Sequence, residues 1–146
     1  AATYGLPTET GMRIIPYYYN EEGLQTHVIN YLKEYYPKVR YCASLGGIRT
    51  GLKQAKKAKK TGYVKGFPDL QITEARGGYH GLFIELKFDK QCYPNQTQKD
   101  WLEDLVKRGY KAVCSKGYTQ TIDIINEYLQ QDESKKQHKR ITARDS

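Results

Sequence analysis

The apolar positions of this chain follow a helical period in some stretches and a strand period in others. Residues 20–36 (NEEGLQTHVINYLKEYY) carry Leu24, Val28 and Leu32 at helical spacing. Asn20 is a suitable N-cap, Glu21 and Glu22 suit the positive end of the helix dipole, and Pro37 stops the helix. Glu21 and Gln25 fall on the same face as the apolar stripe, an unusual place for a carboxylate, whereas Glu22 lies about 100° away. Residues 39–45 alternate through Val39, Tyr41, Ala43 and Leu45 as a strand, and Gly46-Gly47 ends it. Residues 52–60 (LKQAKKAKK) form a short, very basic helix. Gly66-Phe67-Pro68 breaks the chain ahead of a short strand at 69–74, and Arg76-Gly77-Gly78 makes a hairpin turn. Residues 80–88 are the strongest strand, with Leu82, Ile84, Leu86 and Phe88 on one face and Phe83, Glu85 and Lys87 on the other. Asn95-Gln96-Thr97-Gln98 has capping-box form before a helix running to Arg108, which Gly109 closes. A strand at 110–115 and a helix at 119–130, carrying Ile122, Ile125, Tyr128 and Leu129, complete the pattern.

The predicted order is helix, strand, basic segment, two strands, helix, strand, helix. It describes one α/β domain over residues 20–130, preceded by a flexible segment at 1–19 and followed by a loose charged tail at 131–146. The only methionine is Met12, which suggests a natural start there.

Composition narrows the function classes. The 146 residues amount to one domain, with a mean hydropathy of −0.79. No run approaches the roughly 18 apolar residues of a membrane span, and no secretory signal pattern is visible. The expected location is therefore cytoplasmic, in a bacterial cell or a phage-infected host. Three cysteines at 42, 92 and 114 are an odd count without CxxC spacing, which fits a reducing compartment rather than a disulfide framework. No Cys/His zinc cluster and no Gly-rich phosphate loop occur, so no nucleotide cofactor is expected. The formal charge is +8, and seven basic residues within 49–65 supply most of it: Arg49, Lys53, Lys56, Lys57, Lys59, Lys60 and Lys65. That segment holds no acid. A local basic patch on a near-neutral body reads as a contact for a polyanion, most often nucleic acid. The segment lacks the apolar face that an interfacial membrane helix needs.

The chemistry converges on Pro68-Asp69 and Glu85-Leu86-Lys87. A hairpin centred on 76–78 brings Asp69 beside Glu85, and Lys87 projects to the same face as Glu85. Two carboxylates at a sheet end can hold Mg²⁺, which prefers oxygen ligands and keeps several waters. The bland alternative is a cross-strand ion pair on a solvent face, worth little energetically. Trp101, His27 and His80 read as structural, whereas Tyr17-Tyr18-Tyr19 and Tyr35-Tyr36 read as packing or surface aromatics that could also stack on bases or line a subunit interface.

Taken together, Glu21-x-x-Leu24-Gln25, Gly46-Gly47-Ile48-Arg49-Thr50, the Lys-rich run, Gly66-Phe67-Pro68-Asp69-Leu70, Glu85-Leu86-Lys87 and Gln98-Lys99-x-Trp101 resemble the VRR-NUC domain, a branch of the PD-(D/E)XK nucleases. The compact length is similar to that of phage and bacterial members. The resemblance implies a restriction-endonuclease-like αβββαβ core, with a central mixed sheet flanked by helices. It implies Mg²⁺ or Mn²⁺ held by Asp69, Glu85 and the main-chain carbonyl of Leu86, with Glu21 (or else Glu22) adding a ligand directly or through water. Lys87 would position the attacking water, and Gln25 and Gln98 match polar positions near the site. Arg49 and the lysines of 53–65 would grip the phosphate backbone without reading sequence. The implied activity is metal-dependent, structure-selective cleavage of DNA, with resolution of four-way junctions by a homodimer as the leading expectation. A flap or 5′-end nuclease or a nickase on the same site is the rival within enzymes. A non-catalytic nucleic-acid-binding module is the rival from another class.

Overall fold

The computed structural model describes residues 14–44 and 51–131. The described elements are α1 (Glu21–Tyr35), β1 (Tyr41–Ala43), α2 (Leu52–Lys60), β2 (Leu70–Ile72), β3 (Leu82–Lys87), α3 (Gln96–Lys107), β4 (Lys111–Lys116) and α4 (Tyr118–Leu129). Leu45, Arg49 and the rest of the Gly46–Thr50 motif, residues 1–13 and the tail from 132 lie outside the described residues.

The caps form as the sequence indicates. The Asn20 side chain accepts a hydrogen bond from the Gly23 amide at 2.8 Å and so satisfies one of the free donors of the first turn of α1. In α3 the Asn95 side chain accepts from the Gln98 amide and the Gln98 side chain accepts from the Asn95 amide, each at 2.9 Å. Gly109 follows α3 in the left-handed region at φ +96°.

The four strands form one mixed sheet in the order β1-β2-β3-β4. β1, β2 and β3 pair antiparallel, and β4 joins β3 in parallel. The β2–β3 hairpin turns at Gly77-Gly78, whose φ values of +59° and +85° are the two positive angles that a tight type I′ turn demands. The Tyr79 amide donates to the Arg76 carbonyl at 2.9 Å and closes that turn. β1 and β2 are shorter than expected. β1 pairs only over Tyr41–Ala43, although the Thr73 amide still reaches the Arg40 carbonyl at 3.1 Å.

Helices cover both faces of the sheet. Leu70, Ile72, Leu82, Ile84 and Leu86 join Leu24, Val28 and Leu32 of α1 and Ile122, Ile125 and Tyr128 of α4 in one buried core. Asn126 of α4 lies within this core and bonds the hydroxyls of Tyr31 and Tyr36. On the opposite face Phe83 meets Phe67 edge-on at 5.5 Å, and Phe67 meets Trp101 of α3 edge-on at 5.0 Å. β3 is therefore buried on both sides, and its Phe83–Glu85 face is not a solvent face. No helix among the described residues is long and apolar enough to cross a membrane.

Candidate active site

Register fixes the centre of the site. Leu70 pairs with Ile84 and Gln71 with Phe83, so one further step places Asp69 opposite Glu85. The carbonyl of Asp69 is tied to β1 by the Ser44 amide at 2.8 Å, and its carboxylate accepts the Leu86 amide at 2.7 Å. The approach to Asp69 is equally constrained. Gly66 adopts φ +92° and lies so close to α3 that a side chain there would meet Thr97 Cγ2 at 2.5 Å. Pro68 is buried next to it.

Glu85 is a buried carboxyl, 3% exposed. It shares a hydrogen bond with Asp69 and accepts a second from Gln98 Nε2 at 3.2 Å. The Gln98 amide cannot turn over freely, because its Oε1 is the acceptor that completes the α3 capping box. The same four residues thus cap a helix and aim an N–H at Glu85. Lys87 Nζ stands 3.9 Å from Glu85 Oε2 and is itself largely buried. Burial, then the hydrogen bond and charge of Asp69, push the Glu85 carboxyl up to about 9, against the opposing pull of Lys87. Glu21 adds a smaller push in the same direction, which puts its charge within electrostatic reach of Glu85.

The structure therefore brings Asp69, Glu85, the Leu86 main chain, Lys87 and Gln98 together. Glu21 stands farther off, exposed in the first turn of α1, with Glu22 also exposed and Gln25 half-buried one turn on. Among the described residues no group of three or more His, Cys, Asp and Glu side chains is close enough to cage a metal ion. His27 bonds the Tyr17 carbonyl at 3.0 Å, and His80 packs edge-on against Tyr110. The lysines of α2 are all exposed, and so is Lys65.

Two neighbours of the site escape sequence reasoning. Cys114 pairs with Glu85 in the parallel β3–β4 register, and its thiol is pushed up first by burial and then by the Glu85 charge. Tyr63 follows α2, its amide donating to the Ala58 carbonyl at 2.9 Å. Its phenol is pushed up by burial and then by the charges of Asp69 and Glu85. The C-terminal end of the basic helix is thereby tied to a residue that senses both carboxylates.

The VRR-NUC domain matches residues 12–117 of this chain. The chain belongs to the VRR-NUC family. This makes it a nuclease of the PD-(D/E)XK type. A solved structure described as a VRR_NUC domain protein superposes with a TM-score of 0.67 at 36% identity, covering 81% of this chain and 97% of that one. A search of curated proteins finds no match. The mixed four-stranded sheet with its four helices is the fold expected of a VRR-NUC domain.

Proposed function

We propose that this VRR-NUC protein is a Mg²⁺- or Mn²⁺-dependent DNA endonuclease that resolves four-way junctions as a homodimer. The observation that carries the catalytic part is the buried Glu85 carboxyl, hydrogen-bonded to Asp69 and flanked by Lys87 and Gln98. Two carboxyl groups side by side, one of them buried, offer oxygen ligands that suit a hard divalent cation. Mg²⁺ sites of this kind use one or two carboxylates, waters and substrate phosphate rather than a full protein cage. Asp69, Glu85 and the Leu86 carbonyl would hold the ion, with Glu21 acting through water. When bound, the ion supplies an acidified water and stabilises the charge that grows on the phosphate.

The chain's own residues do the rest. The Leu86 amide fixes the Asp69 carboxylate, and Gln98 fixes Glu85. The Lys87 ammonium orients the attacking water beside Glu85. The water oxygen bonds to phosphorus and releases a proton to solvent, the bond to the 3′-oxygen breaks, and solvent protonates that oxygen. Arg49, the α2 lysines and Lys65 hold the strand by its phosphates. Two symmetric cuts in a four-way junction call for two such sites in a symmetric pair.

The test is direct. Labelled four-way junction, flap, duplex and single strand are incubated with Mg²⁺, Mn²⁺ or EDTA. Junction cleavage that EDTA abolishes is the expected result, with a dimer in sedimentation analysis. Preferential flap cutting would replace the junction assignment, and binding without any cleavage would leave only a nucleic-acid-binding module. Lys87→Ala is expected to lower cleavage by about 100-fold or more while junction binding persists. If binding falls in parallel, Lys87 is a backbone contact instead.

A further inference from the structure

An open cleft of about 250 Å³ lies between the segment leading to Asp69 and the outer side of α3. Val64 and Lys65 form one wall, and Thr97, Asp100, Trp101 and Asp104 form the other. The α3 residues recur at helical spacing and make one stripe. The cleft falls just below the 300–1,000 Å³ of drug-sized pockets, which is the scale of a single planar ring system.

Its chemistry is selective. The lining surface is almost wholly apolar, with Trp101 half-buried and Val64 54% exposed across from it. At its edge are two carboxylates. Asp100 Oδ1 accepts from Gln96 at 2.8 Å and Asp104 Oδ2 from Arg108 at 2.7 Å, so each keeps its second oxygen for another donor. Lys65 is exposed at the rim. An aromatic ring, carboxylate acceptors and a rim ammonium match a base, its exocyclic amine and its phosphate respectively. The cleft is also coupled to the site. Gln98, next to Thr97, bonds Glu85, and Lys65 precedes the Gly66–Asp69 approach.

We infer that this cleft receives one unpaired nucleobase of the bound strand, stacked on Trp101, with preference for bases that carry an exocyclic amine. The inference rests on the nuclease reading above, since it takes the strand to be the substrate. It assigns the strand a fixed point one step from the carboxylates. Adenine and cytosine present an exocyclic amine that donates to a carboxylate, whereas the single N–H donor on the pairing edge of thymine sits between two carbonyl oxygens that a carboxylate repels.

Trp101 is the only tryptophan of the chain, so its emission reports the cleft without labelling. The full chain is titrated in EDTA with a single-stranded oligonucleotide and with its abasic counterpart, and binding is followed independently by anisotropy. The base-bearing strand is expected to quench Trp101, and the abasic strand to bind with no comparable quench. Val64→Glu, at an exposed position, is expected to remove the quench and weaken binding by about ten-fold, the scale of stacking by one base. Oligo-dC is expected to bind about ten-fold more tightly than oligo-dT, a margin that Asp100→Ala combined with Asp104→Ala erases. Binding of both strands with equal emission overturns the cleft while leaving the nuclease reading intact. Absence of single-strand binding in anisotropy overturns the cleft, and the junction-cleavage assay decides the nuclease reading separately. Equal affinity for dC and dT overturns the preference for an amine-bearing base.

Discussion

Glu85 keeps a proton that a free glutamate loses at about 4.3, because burial and Asp69 push its carboxyl up to about 9. Between those values the folded chain binds one more proton at this position than the unfolded chain. The free energy of unfolding therefore falls as pH rises through this window. The contribution is complete below the unfolded value and is lost as pH passes the folded one. In EDTA, thermal melts of the unaltered protein should decline from about pH 5 to about pH 9. Glu85→Gln keeps the neutral shape, so its melts should decline less and lie a few degrees higher near pH 8, at about 3 °C per kcal/mol. Parallel slopes for the two proteins would show that Glu85 ionises normally. Ligation requires the deprotonated carboxyl, so the stabilisation given by added Mg²⁺ should grow with pH. Asp69, Glu85 and Lys87 are legible in the sequence because a short hairpin converts their spacing into proximity. Tyr63 and Cys114 are not, because a loop path and a parallel strand bring them in, and neither leaves a local pattern.

At the scale of elements, α2 stands apart. It has five lysines in nine residues, no acid in its first turn and no buried residue. Lys53–Lys57 and Lys56–Lys60 are like-charge pairs four residues apart, each of which costs a helix about 0.2–0.5 kcal/mol. A helix this short is marginal without packing, and phosphates along its lysines would relieve the repulsion. Replacing Lys56, Lys57 and Lys60 by Gln should flatten the salt dependence of junction binding by about 0.9 for each phosphate no longer neutralised, without changing which substrate is cut. An unchanged slope would remove these lysines from the interface. The α2 helix, the caps of α1 and α3 and the Gly77-Gly78 turn are legible because each is a local device. The double burial of β3 is less so. Glu85 and Lys87 on alternate positions imitate a solvent face, and only the approach of α3 with Phe67 and Trp101 shows that the face is covered.

For the molecule as a whole, the helix and strand order is legible from periodicity, and the mixed sheet comes from the family resemblance. What periodicity cannot carry is the partnership across the chain. Tyr31 and Tyr36 of the N-terminal half meet Asn126 of α4 some ninety positions away, a contact without sequence signature. That partnership gives the exposed α2 a further consequence. A solvent-exposed helix of lysines is open to cleavage by trypsin. The cut leaves α1 and β1 on one piece and β2, β3, α3, β4 and α4 on the other. The pieces remain joined by the β1–β2 ladder and the α1–α4 core. Under native gel filtration they should elute as one species and separate only in denaturant, with Glu85 still seated against Asp69. The protein is in this sense divisible at its basic helix, and its two halves, produced separately, should find each other and rebuild the carboxylate site.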